Sequence, residues 1–422
     1  MTTRKAHKKR LIPRVEAKTR YRAVGRTSLL AILLALIAVS SARAQTFMVL
    51  HEFNGAGDGA EPTSGVTFDS GGALFGVTSI GGSFNYGTVF RLDAAGHESV
   101  QHSFLGGEGL GPVGGMIGDS NGNLYGTSSD GGTPEGWGCA HGCGTIFKRD
   151  AAGKQTVLYA FTGKTDGGGP NAALIQDADG NLYGTTKNGG VPTCYVSFGC
   201  GVIFKLDTSN HETVLYRFTD GIDGKMPTGL VADSAGNFYG TTYDGGTYGI
   251  GAIFKLDQSG VLTVLYSFPG GADSSDPTGH LIMDRAGNLY GTTYAVFDSQ
   301  GYGVVFKLDT GGNYSVLYNF SVPADGEYPN SLVTDGAGNL YGVTLGGGTG
   351  SGCYYGSCGT VFKLDSSGNK TILHSFNGRD GQLPNALAMD NVGNLYGTTL
   401  GGGKGTGCSY YRGCGTVFKL TP

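Results

Sequence analysis

The chain has 422 residues, 80 of them Gly and 13 Pro, and only 15% are charged. Gly costs about 1 kcal/mol and Pro about 3 kcal/mol per helical site, which excludes a protein of long helices; 23 Tyr and 21 Phe supply too much apolar area for a disordered one. The net charge of −4 joins a basic start to an acidic remainder: beyond residue 44, 18 basic residues face 32 acidic ones, and that −14 disfavours nucleic acid and anionic lipid as partners.

In chain order, residues 1–26 carry ten Lys/Arg against one Glu, and an apolar run of eleven residues (29–39) leads to Ala42-Arg43-Ala44. This order reads as a secretory signal peptide, residues 1–44, cleaved after Ala44. An uncleaved anchor is the alternative, although the run falls short of the roughly 20 residues that span a bilayer. Residues 45–422 are then expected to form a single domain, a monomer with no membrane span.

Residues 46–53 (TFMVLHEF) make a lone β-type run, and self-similarity fills the chain after it. The segment G-[TVA]-[VI]-F recurs with its Phe at 90, 147, 204, 254, 306, 362 and 418, in steps of 50 to 57 residues. Each unit holds four short runs rich in β-branched and aromatic residues; in the sixth they fall at 329–335, 338–344, 359–365 and 371–376. We name these strands A to D. A and B are joined by D-x-x-G-N or a near variant at 119–123, 177–181, 233–237, 284–288, 335–339 and 390–394. Asp bonds its own backbone there and Gly takes a positive φ, so these are hairpin turns; an EF-hand would need a longer loop and a final Glu.

Seven such units predict an all-β chain, a seven-bladed β-propeller with four antiparallel strands per blade. The seventh unit stops at strand C, so the run 46–53 is expected to pair with it and close the ring, removing two open edges. Four residues before each turn Asp stand Gly65, Gly115, Ala173, Gly229, His280, Ser331 and Ala386, expected to crowd the central channel. The next position (Val66, Met116, Leu174, Leu230, Leu281, Leu332, Leu387) is expected to be core, as are the aromatics that recur in strand B and at the end of strand D.

The GNLYGTT…GTVFKLD…TVLYxF units resemble the GloVer (Gloeo-Verruco) tandem repeats of exported bacterial proteins over nearly the whole of residues 45–422. The resemblance implies export and surface association and supplies no catalytic residues. Some members end in an anchoring segment; here the chain ends on strand C at Pro422.

Eight Cys fall in four close pairs, Cys139/Cys143, Cys194/Cys200, Cys353/Cys358 and Cys408/Cys414, all between strands B and C. In an oxidising compartment each pair closes its own loop as a disulfide; the alternative is Cys₄ zinc between neighbouring units. No nucleophile elbow or phosphate loop is present. His280, the one large residue at the channel position, is a weak catalytic candidate, as a general base or ligand, or simply a solvated channel residue.

The D–A and B–C loops emerge on one face. The first carry Asp58, Asp166, Asp223, Asp325 and Asp380; the second carry Trp137, Tyr195, Tyr248, Tyr302, Tyr354, Tyr355, Tyr410 and Tyr411. They read either as turn formers and loop filler or as a ligand-binding face, with rings that stack on sugars and carboxylates that accept hydroxyls. No cofactor is expected beyond Ca²⁺ on those acids. The expectation is an exported binding module, extracellular, periplasmic or at the cell surface, with a glycan or protein as partner. The alternatives are a polysaccharide- or lactone-directed hydrolase or lyase, with two acid/base groups meeting at the channel mouth, and a purely structural envelope protein.

Overall fold

The computed structural model describes residues 45–422 apart from 133–138, 193, 195–197, 272–274, 296–300, 354–355 and 409–412. Residues 1–44, the expected signal segment, lie outside the described residues, as do Trp137, Tyr195, Tyr354, Tyr355, Tyr410 and Tyr411. Seven antiparallel sheets follow one another, each with its strands in the order A, B, C, D, and together they make the seven-bladed propeller. The seventh is built from both ends of the domain. Thr46–Glu52 pairs with Thr416–Thr421, from Thr46 opposite Thr421 to Glu52 opposite Thr416, so the early strand closes the ring.

Strand A departs from the expected regular run. In blades one, three and five it breaks into two pieces, such as Ala60–Pro62 and Thr67–Phe68. Elsewhere it bulges, as in Lys225–Ala232, where the register with strand B shifts between Pro227 and Leu230. The extra residues bend the strand where seven of them converge on the axis.

Several sets of contacts hold neighbouring blades together. The first is aromatic. The Phe that follows each strand D packs edge-on against the strand C Phe of the next blade, at centroid distances from 5.1 Å for Phe53–Phe90 to 5.5 Å for Phe268–Phe306. All fourteen rings are fully buried, and edge-to-face pairs contribute about 0.5–1.5 kcal/mol each beyond their area. The Gly of strand B makes room for them: a Cβ on Gly184 would lie 2.7 Å from the Phe204 Cζ. The strand A residues from Val66 to Leu387 join this core as expected.

The second set runs along the loop face. A residue followed by Pro opens strand A in every blade, and its N–H reaches the preceding blade: Met226 donates to the Cys200 carbonyl (2.9 Å), Tyr328 to Tyr302 (2.7 Å) and Glu61 to Cys414 (2.9 Å). To aim that N–H, the residue takes a left-handed backbone even where it is not Gly, as at Glu61, Met226, Asp276, Tyr328 and Leu383 with φ of 54–60°. Such a conformation costs of order 1–3 kcal/mol and persists because the seam over-determines it. The following Pro rests on the Gly before strand C of the preceding blade, as Pro227 does on Gly201.

The strand B aromatics have a role beyond core filling. Tyr183 Oη donates to Asp177 Oδ2 (2.9 Å), Asn181 Nδ2 donates to the same oxygen (2.8 Å), and the Lys205 ammonium lies 5.8 Å above the Tyr183 ring. Burial pushes the Asp177 carboxyl up, but the hydrogen bonds from Asn181, Tyr183 and the turn backbone outweigh it and leave the group below the usual carboxylate range. Blades two to seven repeat this knot, as Tyr290–Asp284 and Tyr396–Asp390 illustrate.

Around the outside, a residue at the start of strand D touches strand D of the preceding blade. Tyr314 stacks on Tyr266 (4.1 Å), Phe47 on His374 (3.6 Å), and Lys370 lies over Tyr318 (5.1 Å). In blade three this position holds Glu212, whose carboxyl is pushed up to about 7, first by burial and then by Asp166, with Arg217 partly offsetting both. A carboxyl raised on folding binds more protons in the native state, so its contribution falls as pH rises from about 4.5 to about 7 and stays low above that. Glu212→Gln is therefore expected to stabilise the protein by about 1–2 kcal/mol at pH 8, allowing for solvent screening, and to have little effect at pH 4. Urea unfolding at the two pH values checks this; an equal effect at both would refute it.

Candidate functional site

Each cysteine pair is a disulfide within its own loop: Cys139–Cys143, Cys194–Cys200, Cys353–Cys358 and Cys408–Cys414, with Cα separations of 5.0, 5.6, 5.4 and 5.2 Å. All four lie between strands B and C, as the sequence places them. Cys143, Cys200, Cys358 and Cys414 are fully buried, so their sulfurs belong to the core and offer nothing to a ligand. The reason is their position at the inner end of the loop, two residues before strand C or less. Cys143 packs in one core cluster with Phe161, and Cys358 in another with Phe376, beneath the loop each disulfide closes.

The second Cys of each pair also supplies the carbonyl that receives the seam bond, as Cys143 does for Gly169 (2.7 Å) and Cys358 for Leu383 (3.1 Å). In the cysteine-free blades Tyr86, Ile250 and Tyr302 occupy that place, so Tyr302 belongs to the seam and Tyr248 stands exposed at the loop tip. Among the described residues, one group of three potential metal ligands gathers, Cys194, Cys200 and Asp220. Its two sulfurs are joined to each other, and Asp220 pairs with Lys225 at 2.9 Å.

The five D–A loop acids are engaged by strand D of their own blade, Asp325 also pairing with Lys370 of the next. Asp166, Asp223 and Asp325 accept the hydroxyls of Tyr159, Tyr216 and Tyr318 at 3.0, 3.2 and 2.6 Å. Asp58 and Asp380 meet His51 and His374 at 3.3 and 3.0 Å. All five partners lie on strand D, the outermost strand, and the loop backbone donates as well, as Thr162 N–H does to Asp166 (2.8 Å). These carboxylates pin each loop to its own blade; they do not converge around the channel.

Comparing the seven repeats with one another locates what is not scaffold. The residue after the seam Pro is Thr63, Val113, Asn171, Thr228, Thr278, Asn330 or Asn385. Thr63 donates to the Pro112 carbonyl (2.8 Å), Asn171 to Pro227 (3.1 Å), Asn330 to Asn385 (2.8 Å) and Asn385 to Pro62, while Thr228 pairs with Thr241 (2.5 Å). Thr278 differs: its hydroxyl oxygen is buried and has no partner. Two residues on, His280 replaces the small channel residue, and its ring covers Gly229 of the preceding blade so closely that a Cβ there would fall 2.1 Å from Nδ1.

The sixth residue of strand B varies in the same sector. It is Ser79, Ser129, Leu345 or Leu400 in four blades, but Lys187, Tyr243 and Tyr294 in blades three to five. Lys187, Tyr243, Asn171, Met226, Thr228, Thr278 and His280 together line a cavity of about 270 Å³. Beyond it Tyr294 stacks on Tyr328 at 4.4 Å. Burial raises the Asp276 carboxyl, with Asp244 adding to it and the Ser275 hydroxyl opposing. Burial likewise raises the Tyr243 phenol, followed by Asp276. His280 is open to the channel yet ringed by protein, and that desolvation alone lowers its pKa, so the imidazole is neutral at pH 7.

Of these residues only His280 stood out in a linear reading. The others become visible once the repeats are aligned on their seven x-Pro pairs, because variation at a fixed place in an otherwise uniform repeat marks a position freed from scaffold duty.

Among solved structures, the chain resembles a streptogramin B lyase at 14% identity and TM-score 0.59, over 89% of this chain and 97% of that one. It also resembles a catalytically inactive His-to-Ala variant of virginiamycin B lyase from Staphylococcus aureus with quinupristin, at 12% identity and TM-score 0.57, over 89% and 100%. The extracellular domain of the BT4673 one-component system of B. thetaiotaomicron matches at 12% and TM-score 0.52, over 87% of this chain and 40% of that one. At these identities the likeness is one of fold. No curated protein sequence matches the chain. The Gloeobacter/Verrucomicrobia repeat matches at residues 37–198, 135–300 and 297–422, and the chain belongs to that family.

Proposed function

We propose that this propeller is an exported binding module that holds a small sugar-like ligand at the channel mouth of blades three to five. The observation that carries the reading is the departure from the repeat in one sector: an unpartnered buried hydroxyl (Thr278), a channel imidazole (His280) and exposed Tyr243 border a single cavity. Polar groups that converge beside an aromatic face suit a pyranose, whose hydroxyls need partners and whose CH face needs a ring. Four disulfides fit an oxidising compartment outside the cytoplasm, and among the described residues no helix is long and apolar enough to cross a membrane.

A hydrolase or lyase would need a second acid/base group acting with His280. The lining of this cavity carries no carboxylate to pair with it, which favours the binding reading. The test is a glycan array on the purified protein, followed by titration of the hits. Tyr243→Ala is expected to weaken binding at least tenfold, and Tyr248→Ala, at a loop tip away from the pocket, to leave it unchanged. Binding that survives Tyr243→Ala would remove the channel mouth as the site.

A further inference from the structure

The polar groups of this pocket are unevenly charged, and that asymmetry bears on what enters it. Lys187 is the one cation among the seven residues at its repeat position. It is exposed, and the ion pairs of the described residues leave it out. In the next blade Lys225 opens the strand that pairs with Tyr243's strand but is held by Asp220 (2.9 Å) and Asp244 (3.8 Å). Lys187 therefore borders the cavity as a free charge, in one lining with Tyr243 and the unpartnered Thr278 hydroxyl.

The size limits the occupant. About 270 Å³ is at the lower edge of the roughly 300–1,000 Å³ typical of small-molecule sites, enough for one ring. The charge limits it further. One Lys, with no Arg in the lining, balances one negative charge as a point cation. That suits a carboxylate better than a dianionic phosphate, which recruits bidentate Arg or several donors. Outside the pocket the acidic surface gives an anion no long-range attraction, so selection must come from short-range contact.

We propose that the channel mouth takes a carboxylated pyranose, a uronate unit of an acidic glycan. Lys187 holds the carboxylate, Tyr243 stacks on the ring, and Thr278 meets a hydroxyl. The inference rests on the binding reading given above and deepens it.

The test is calorimetric titration of the disulfide-bonded protein with digalacturonate and with a glucuronate-terminated disaccharide, beside their carboxyl-reduced counterparts and a sulfated disaccharide. The uronates are expected to bind at least tenfold more tightly than the reduced sugars. Lys187→Met should erase that difference while leaving the melting temperature unchanged, since the side chain is exposed, and Lys187→Arg should retain most of it. Equal binding of the carboxyl-reduced sugars, or a preference for the sulfated one, overturns the carboxylate assignment and leaves the pocket as a sugar site. No binding of any of these sugars overturns both.

Discussion

A protein lacking residues 45–53 is expected to lose its single cooperative unfolding transition and to aggregate at low micromolar concentration. Those residues supply strand D of the seventh blade, so their removal bares the edge of Thr416–Thr421 along its whole length. An unpaired edge of β-branched and aromatic residues is a template for association. The loss also strips Phe53 from the core. That ring is fully buried and sits 5.1 Å from Phe90, so it joins the closing strand to the first blade as well as to the last. Phe53→Ala alone is expected to cost about 3–5 kcal/mol, the usual range for a buried Phe. Denaturant unfolding with size-exclusion chromatography decides the matter. If the truncated protein were monomeric with an unchanged midpoint, ring closure would contribute nothing to stability.

Gly201→Ala is expected to be nearly as damaging. Its φ is +90°, and a Cβ would fall 2.1 Å from the Thr186 carbonyl oxygen of its own blade and 2.8 Å from the Pro227 Cδ of the next, so both strand B and the blade boundary would have to give way. Backbone strain and the clash together are expected to cost at least about 3 kcal/mol. Gly249→Ala is the control: its φ is +80° but nothing lies within 4 Å of the added carbon. That variant pays conformational strain alone, about 1 kcal/mol. Comparing the two by urea midpoint separates the seam from ordinary backbone preference. Equal losses would mean that the Gly–Pro contact between blades carries no weight of its own.

Both expectations concern a scaffold that is legible in the linear chain. The spacing of the strand C Phe, the D-x-x-G-N turns and the missing last strand specify the number of blades, their strand order and the way the ring closes, because each is a local or periodic property. The recurring x-Pro pair is as plain in the sequence as those features. Its purpose is not, since the N–H before Pro227 serves a carbonyl that is distant in the repeat and close only across a blade boundary. The cysteines divide in the same way. Their pairing follows from short spacing, whereas the burial of Cys143 and Cys358 depends on the Phe rings that the fold brings beneath them.

The site followed a different course. The Asp residues of the D–A loops invite a reading as a shared acidic rim because they recur on one face. In the folded chain each turns outward to a Tyr or His on its own strand D, and the hydrogen bonds that hold Asp166 or Asp223 occupy the oxygens a ligand would need. The residues that do share a cavity come from three blades and have no common motif: Lys187 and Tyr243 stand near the end of one kind of strand, Thr278 and His280 in the break of another.

The amino-acid order by itself determined the architecture, the disulfide pairs and the closing strand, because repeat period, turn chemistry and alternating apolar residues act over a few residues at a time. Only the tertiary structure decided which polar groups are consumed by the scaffold and which remain to meet a ligand. That division depends on where the next blade puts its carbonyls and side chains, a matter of distances across a ring that no linear spacing records.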